Sequence, residues 1–185
     1  MAVPLRRLMA STIGAATIVA VAPFAALGAL SASVADLTFG QITYSHAQQV
    51  QTGTLTLTAT DTGVAGLINS GWNVTLLSSA FSYTGPNSGS PIPASNLAIT
   101  SAGSPVRISG QAISPTGGPR TTNVTGALNV ARKTIQADGP TGFIVLTYYG
   151  IGTYTQPIGV SLTVPGQTRA GTYSATLTVT ISAGP

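Results

Sequence analysis

The chain has 185 residues, no cysteine, one histidine, seven basic and three acidic side chains, and a formal net charge of +4. So few charges exclude a nucleic-acid binder, which needs clustered cations to neutralise several phosphates; beyond the N-terminus the only adjacent cations are Arg132 and Lys133. The lack of cysteine excludes a small secreted module held by disulfides.

Taken in order, the N-terminus carries Arg6 and Arg7 and no acid, then an apolar stretch from about Met9 to Leu30. Small residues come next at Ser33-Val34-Ala35 before Asp36, which reads as a secretory signal peptide over 1–35. About 20 apolar residues can also serve as an uncleaved anchor, but Pro23, Gly28 and the small-residue end favour cleavage. No later segment is apolar enough to span a bilayer, so the expected product is secreted, extracellular and free of the membrane after cleavage. Residues 36–185 then form one domain, long enough to bury a core without covalent staples. This domain carries Asp36, Asp61 and Asp138 against Arg107, Arg120, Arg132, Lys133 and Arg169. Low charge also removes one guard against strand-to-strand association.

Period-two alternation dominates the domain. "TGTLTLTATD" (52–61) puts Leu55, Leu57 and Ala59 on one face and threonines on the other. "GTYSATLTVTIS" (171–182) does the same with Tyr173, Ala175, Leu177, Val179 and Ile181 inward. Such alternation marks strands with one buried face. Further strands are expected at 38–44, 71–78, 104–113, 127–136, 142–149 and 158–164. The strand ending at Val164, the Pro165-Gly166 turn and the strand from Gly171 read as a hairpin. Gly, Pro, Asn and Ser clusters at 83–96 and 114–123 read as two long loops, and no segment sustains a helical period. The fold class is all-β, a single antiparallel β-sandwich of Ig-like or Greek-key type.

Motifs with possible chemistry are weak. Asp61-Thr62-Gly63 matches an aspartic-protease triplet, but that chemistry needs two carboxylates sharing a proton, and no second copy exists. A turn, with Asp capping and Gly at positive φ, explains it better. His46 is the sole imidazole and has no Gly-x-Ser-x-Gly nucleophile elbow to serve. One His and three dispersed Asp make no metal set. "GIGTYT" (150–155) lacks the third glycine of a nucleotide loop. Asn73-Val74-Thr75 and Asn123-Val124-Thr125 are formal glycan acceptors. No catalytic residue, metal or cofactor is expected, and enzyme activity is not.

Several segments together resemble the WxL family of bacterial cell-surface proteins. "LTFGQI" (37–42) is similar to its opening Phe-Gly strand. "LTATDTGVAGLINSGWNVTL" (57–76) is similar to its central strand, Asp-x-Gly turn and Gly-Trp-x-Leu/Val segment. "GTYSATLTVTISAGP" (171–185) is similar to its closing strand. The name-giving triplet is Trp72-Asn73-Val74, with Val for Leu, and the second triplet is Val179-Thr180-Ile181, where many members carry another Trp. The resemblance implies an all-β domain that attaches non-covalently to the cell wall, through peptidoglycan, or to surface partner proteins. It nominates Trp72, Asn73, Val74, Tyr173, Leu177, Val179 and Ile181 as binding residues.

In "GWNVTLL", Trp72, Val74 and Leu76 share one face. If that face is core, the indole anchors the sandwich; if it is exposed, the ring can stack on sugars. Tyr44, Tyr83, Tyr148 and Tyr149 are further possible glycan platforms. A second expectation is a structural subunit that polymerises by strand addition into a fibre or surface layer, with 36–45 as a donated strand.

Overall fold

The alternating threonines build the frame. In the computed structural model, which describes residues 8–9, 29–63, 70–122, 124–142 and 147–185, the first strands are β1 (Leu8–Met9), β2 (Leu30–Val34), β3 (Ile42–Thr43) and β4 (Gln49–Asp61). They are followed by β5 (Trp72–Ser78), β6 (Ser82–Thr84), β7 (Leu97–Ala102), β8 (Val106–Gly110) and β9 (Arg120–Thr121). The last are β10 (Gly126–Ala127), β11 (Arg132–Ala137), β12 (Gly152–Val164), β13 (Thr172–Ser174) and β14 (Leu177–Ala183). The 13-residue strands β4 and β12 pair antiparallel in unbroken register, from Gln49 opposite Val164 to Asp61 opposite Gly152.

Around that pair one sheet runs in the order β10-β7-β12-β4-β2, with β8 also on β12. A second sheet runs β14-β5-β11-β9. The short ladder β13-β6 completes the all-β, antiparallel sandwich, and β1 forms a separate two-residue ladder with β3. The core lies between the main sheets. Leu55, Leu57, Tyr154, Ile158, Val160 and Leu162 face it from the first, and Trp72, Val74, Leu76, Ile135, Val179 and Ile181 from the second. Sandwich cores arise in this way, from the inner faces of two pleated sheets.

Three expectations change on folding. The expected hairpin across Pro165 is a crossover between sheets. Both edges of β12 are already taken, by β4 on one side and by β7 and β8 on the other, so the chain passes over to pair β13 with β6 and β14 with β5. The expected strand 127–136 breaks at Leu128. Leu128 N–H donates to Leu97 O (2.8 Å) in one sheet, while its carbonyl accepts from Ser78 N–H (2.8 Å) in the other. β10 and β11 thus belong to different sheets. The expected strand 38–44 contracts to β3, and Phe39 ahead of it is buried in the core.

Of the expected strand 142–149, residues 143–146 lie outside the described residues; Thr141 and Thr147, which flank them, form an antiparallel bridge. β2 falls inside the stretch read from the sequence as leader. No helix among the described residues is long and apolar enough to cross a membrane.

Candidate functional site

Trp72 opens β5 with none of its surface exposed. Its Nε1–H donates to Gly150 O at 3.1 Å, and its ring lies 6.3 Å from that of Tyr154 on the facing sheet. Val74, Tyr173, Leu177, Val179 and Ile181 are buried as well. Trp72, Val74, Leu177, Val179 and Ile181 are enclosed between the two sheets as core side chains and offer no surface to a polymer, whereas Tyr173, 3% exposed, lines the groove described below. Asn73 alone of the nominated residues is half-buried; its Nδ2–H donates to Gly184 O at 2.6 Å, tying β5 to the C-terminal end of β14.

The Asp-Thr-Gly triplet is capped by its aspartate as expected, but Gly63 does not take the expected positive φ. Asp61 is buried at the end of β4, and its Oδ1 accepts from Gly63 N–H at 2.7 Å. His46 is spent on a surface contact, its ring edge-on to Tyr44 with centroids 5.2 Å apart. Of the formal glycan acceptors, Asn73 is held inside a sheet and Asn123 lies outside the described residues.

A concave surface forms elsewhere, where two loops meet. The segment 88–92 after β6 and the crossover 165–169 enclose an open groove of about 560 Å³. Its lining includes Ser88, Ser90, Gln167, Thr168 and Arg169 together with the buried Ile92 and Tyr173. Arg169 is the one charged side chain among these lining residues. Volumes of this order suit a small ligand or a few units of a polymer.

The groove is held from beneath by paired tyrosines. β6 and β13 pair with Tyr83 opposite Tyr173, and the two rings lie 5.3 Å apart at 58°. Tyr83 Oη–H donates to Ala170 O (2.9 Å) and Tyr173 Oη–H donates to Arg169 O (3.2 Å), so both phenols fix the backbone that presents the guanidinium. Burial, with a smaller contribution from Tyr83, pushes the Tyr173 phenol above its ordinary pKa and keeps it protonated as a donor. Gly89 and Gly171 are required by this packing: a Cβ at either would stand 2.7 or 2.3 Å from the Tyr83 ring. The crossover itself is pinned at Gln167, which has a left-handed φ of 63° and donates its N–H to Ser45 O at 2.9 Å.

Of the tyrosines considered as platforms, Tyr83 is the groove's support, not its exposed face. Tyr149 is tied to Thr141 by a 2.8 Å hydroxyl contact. Sequence reading gives 83–96 as a plain loop and misses Gln167 and Arg169. No local signal marks them, because "PGQTR" reads as the bend of an ordinary hairpin and only the occupied edges of β12 make it a crossover. No family model, curated protein or solved structure matches the chain.

Proposed function

We propose that this chain is an exported, non-catalytic cell-surface domain that holds a wall polymer of the peptidoglycan type in the groove between 88–92 and 165–169. The observation that carries this reading is the groove, lined by one arginine and several hydroxyl and amide side chains and backed by the Tyr83–Tyr173 ring pair. Amide and hydroxyl groups match sugar hydroxyls and acetamido groups, and a guanidinium matches the carboxylates of the wall's peptide stems. The WxL-like segments support the same reading, with Trp72 and the closing strand acting as the frame. Attachment to a surface partner protein is the variant of this reading in which the same groove takes a peptide.

A pull-down with purified peptidoglycan tests it. The wild-type chain is expected to be retained, and Arg169→Ala to lower retention about threefold, the loss of one exposed charged contact, with its melting temperature unchanged. Retention equal to wild type moves the site elsewhere, and no retention of the wild type removes the wall polymer as ligand.

A second reading, a fibre or surface-layer subunit assembled by strand addition, is favoured by β8. All five of its residues are exposed, with Val106 and Ile108 at 55% and 63%. It pairs with β12 alone among the described residues. Electron microscopy of the secreted material separates the two readings, since a population made only of monomers sinks the fibre.

A further inference from the structure

The leader read from the sequence ends at Ala35, yet the fold uses the residues just before that point. β2 runs antiparallel along β4 through five matched pairs, from Leu30 opposite Asp61 to Val34 opposite Leu57. Its inward residues, Ala32 and Val34, are 6% and 8% exposed and belong to the core. Its start is tied as well. Thr62 N–H donates to Ala29 O at 3.1 Å, and Ala29 N–H donates to Thr62 Oγ1 at 2.8 Å. β2 also lies close to β14 of the facing sheet, so it closes one rim of the sandwich.

A cut after Ala35 would remove all of this. It would open the edge of β4 over 57–61 and uncover Leu57 and Ala59, which are 1% and 0% exposed with β2 in place. A bare edge backed by apolar side chains is a template for unwanted pairing. A leader is discarded, so a segment that fills the core belongs on the retained side of the cut.

We infer that the export cut falls at or before the Gly28–Ala29 bond, so that the exported domain begins with β2 and not at Asp36. The sequence supplies what such a cut needs: Ala26 and Gly28 stand at the same small-x-small spacing as Ser33 and Ala35. This inference rests on the export part of the reading above and is independent of the groove.

The test expresses the full chain with its own leader in a secreting Gram-positive host and measures the intact mass of the protein in the medium. The expected product retains residues 29–35. A product beginning at Asp36, or one that is uncut, overturns the placement while leaving the export reading intact. Absence from the medium overturns both. A second measurement uses Val34→Ala in the same full chain. The secreted variant is expected to melt about 3 °C below wild type, as for a buried methyl pair removed from a domain of this size; identical melting means that residue 34 is not in the product, and overturns the placement.

Discussion

With its surface fully enclosed, its N–H spent on Gly150 O and its ring against Tyr154, Trp72 has no group left for a ligand. The site around it is tight. Gly150 has φ 76°, and a Cβ there would stand 2.5 Å from the Ala137 methyl and 2.8 Å from Trp72 Nε1. Trp72→Ala is therefore expected to cost about 3–5 kcal/mol of stability, read from the denaturant midpoint, because it removes a large transfer term and leaves a cavity. A variant that remains folded is expected to keep its retention on peptidoglycan, which a ligand-facing indole would not allow. Two phenols carry a pH dependence. Tyr154 donates to Gln111 O (2.8 Å) and Ile151 O (3.2 Å), and burial raises its pKa, as it does for Tyr173. For both, the folded pKa exceeds the unfolded one, so their contribution is complete below about pH 10 and is lost as pH rises through the folded value. Denaturant midpoints measured from pH 8 to 11 are expected to fall above about pH 10. The fall is expected to be shallower in Tyr154→Phe, which has no proton to lose; an equal slope assigns the loss to other groups.

At the scale of elements, legibility depends on how much of a strand's environment lies within the strand itself. β4 and β14 alternate cleanly because one face is core and the other is not, and both are readable from threonine spacing alone. β5 is readable for the same reason. β2 is hidden because a strand of small and apolar residues and the end of a leader have the same composition. The corner at Leu128 is hidden because its cause is a pair of hydrogen bonds to two different sheets, which no local pattern records. The groove is hidden more deeply. Arg169 lines the same groove as Ser88 and Ser90 only because the chain leaves β12 for the other sheet, and that results from the occupied edges of β12 and not from the turn sequence. β8 illustrates the reverse case, a strand visible in sequence whose exposure is not. Its ladder on β12 is irregular, with Arg107 opposite Tyr154 and Ser109 opposite Thr153 and Ile108 between them. A bulge of this kind discourages further pairing, and Arg107 adds a charge to the same edge. If β8 nevertheless carries assembly, Ile108→Lys is expected to abolish any fibres seen by electron microscopy; fibres that survive it place the contact on another edge.

The whole molecule has too little charge to be held anywhere by its net field. Arg120 and Asp138 neutralise each other through two 2.7 Å contacts, and their side chains are 39% and 29% exposed. The pair is half-buried and bidentate, so its two charges cancel at short range and add nothing to the net field. What remains near the groove is Arg169, one cation among hydroxyls, amides and apolar contacts. Adhesion to the wall by that groove should depend on shape and hydrogen bonding first and on charge second. An exposed ion pair is worth about 0.2–1 kcal/mol, a factor of about three in affinity at its middle value. Raising the salt from about 50 to about 500 mM, which shortens the screening length to a few ångströms, is then expected to lower retention on peptidoglycan by no more than about threefold. The same measurement on Arg169→Ala is expected to be flat. A loss of tenfold or more in the wild type would assign the attachment to long-range attraction by dispersed cations such as Arg132 and Lys133, and the groove would no longer be the site.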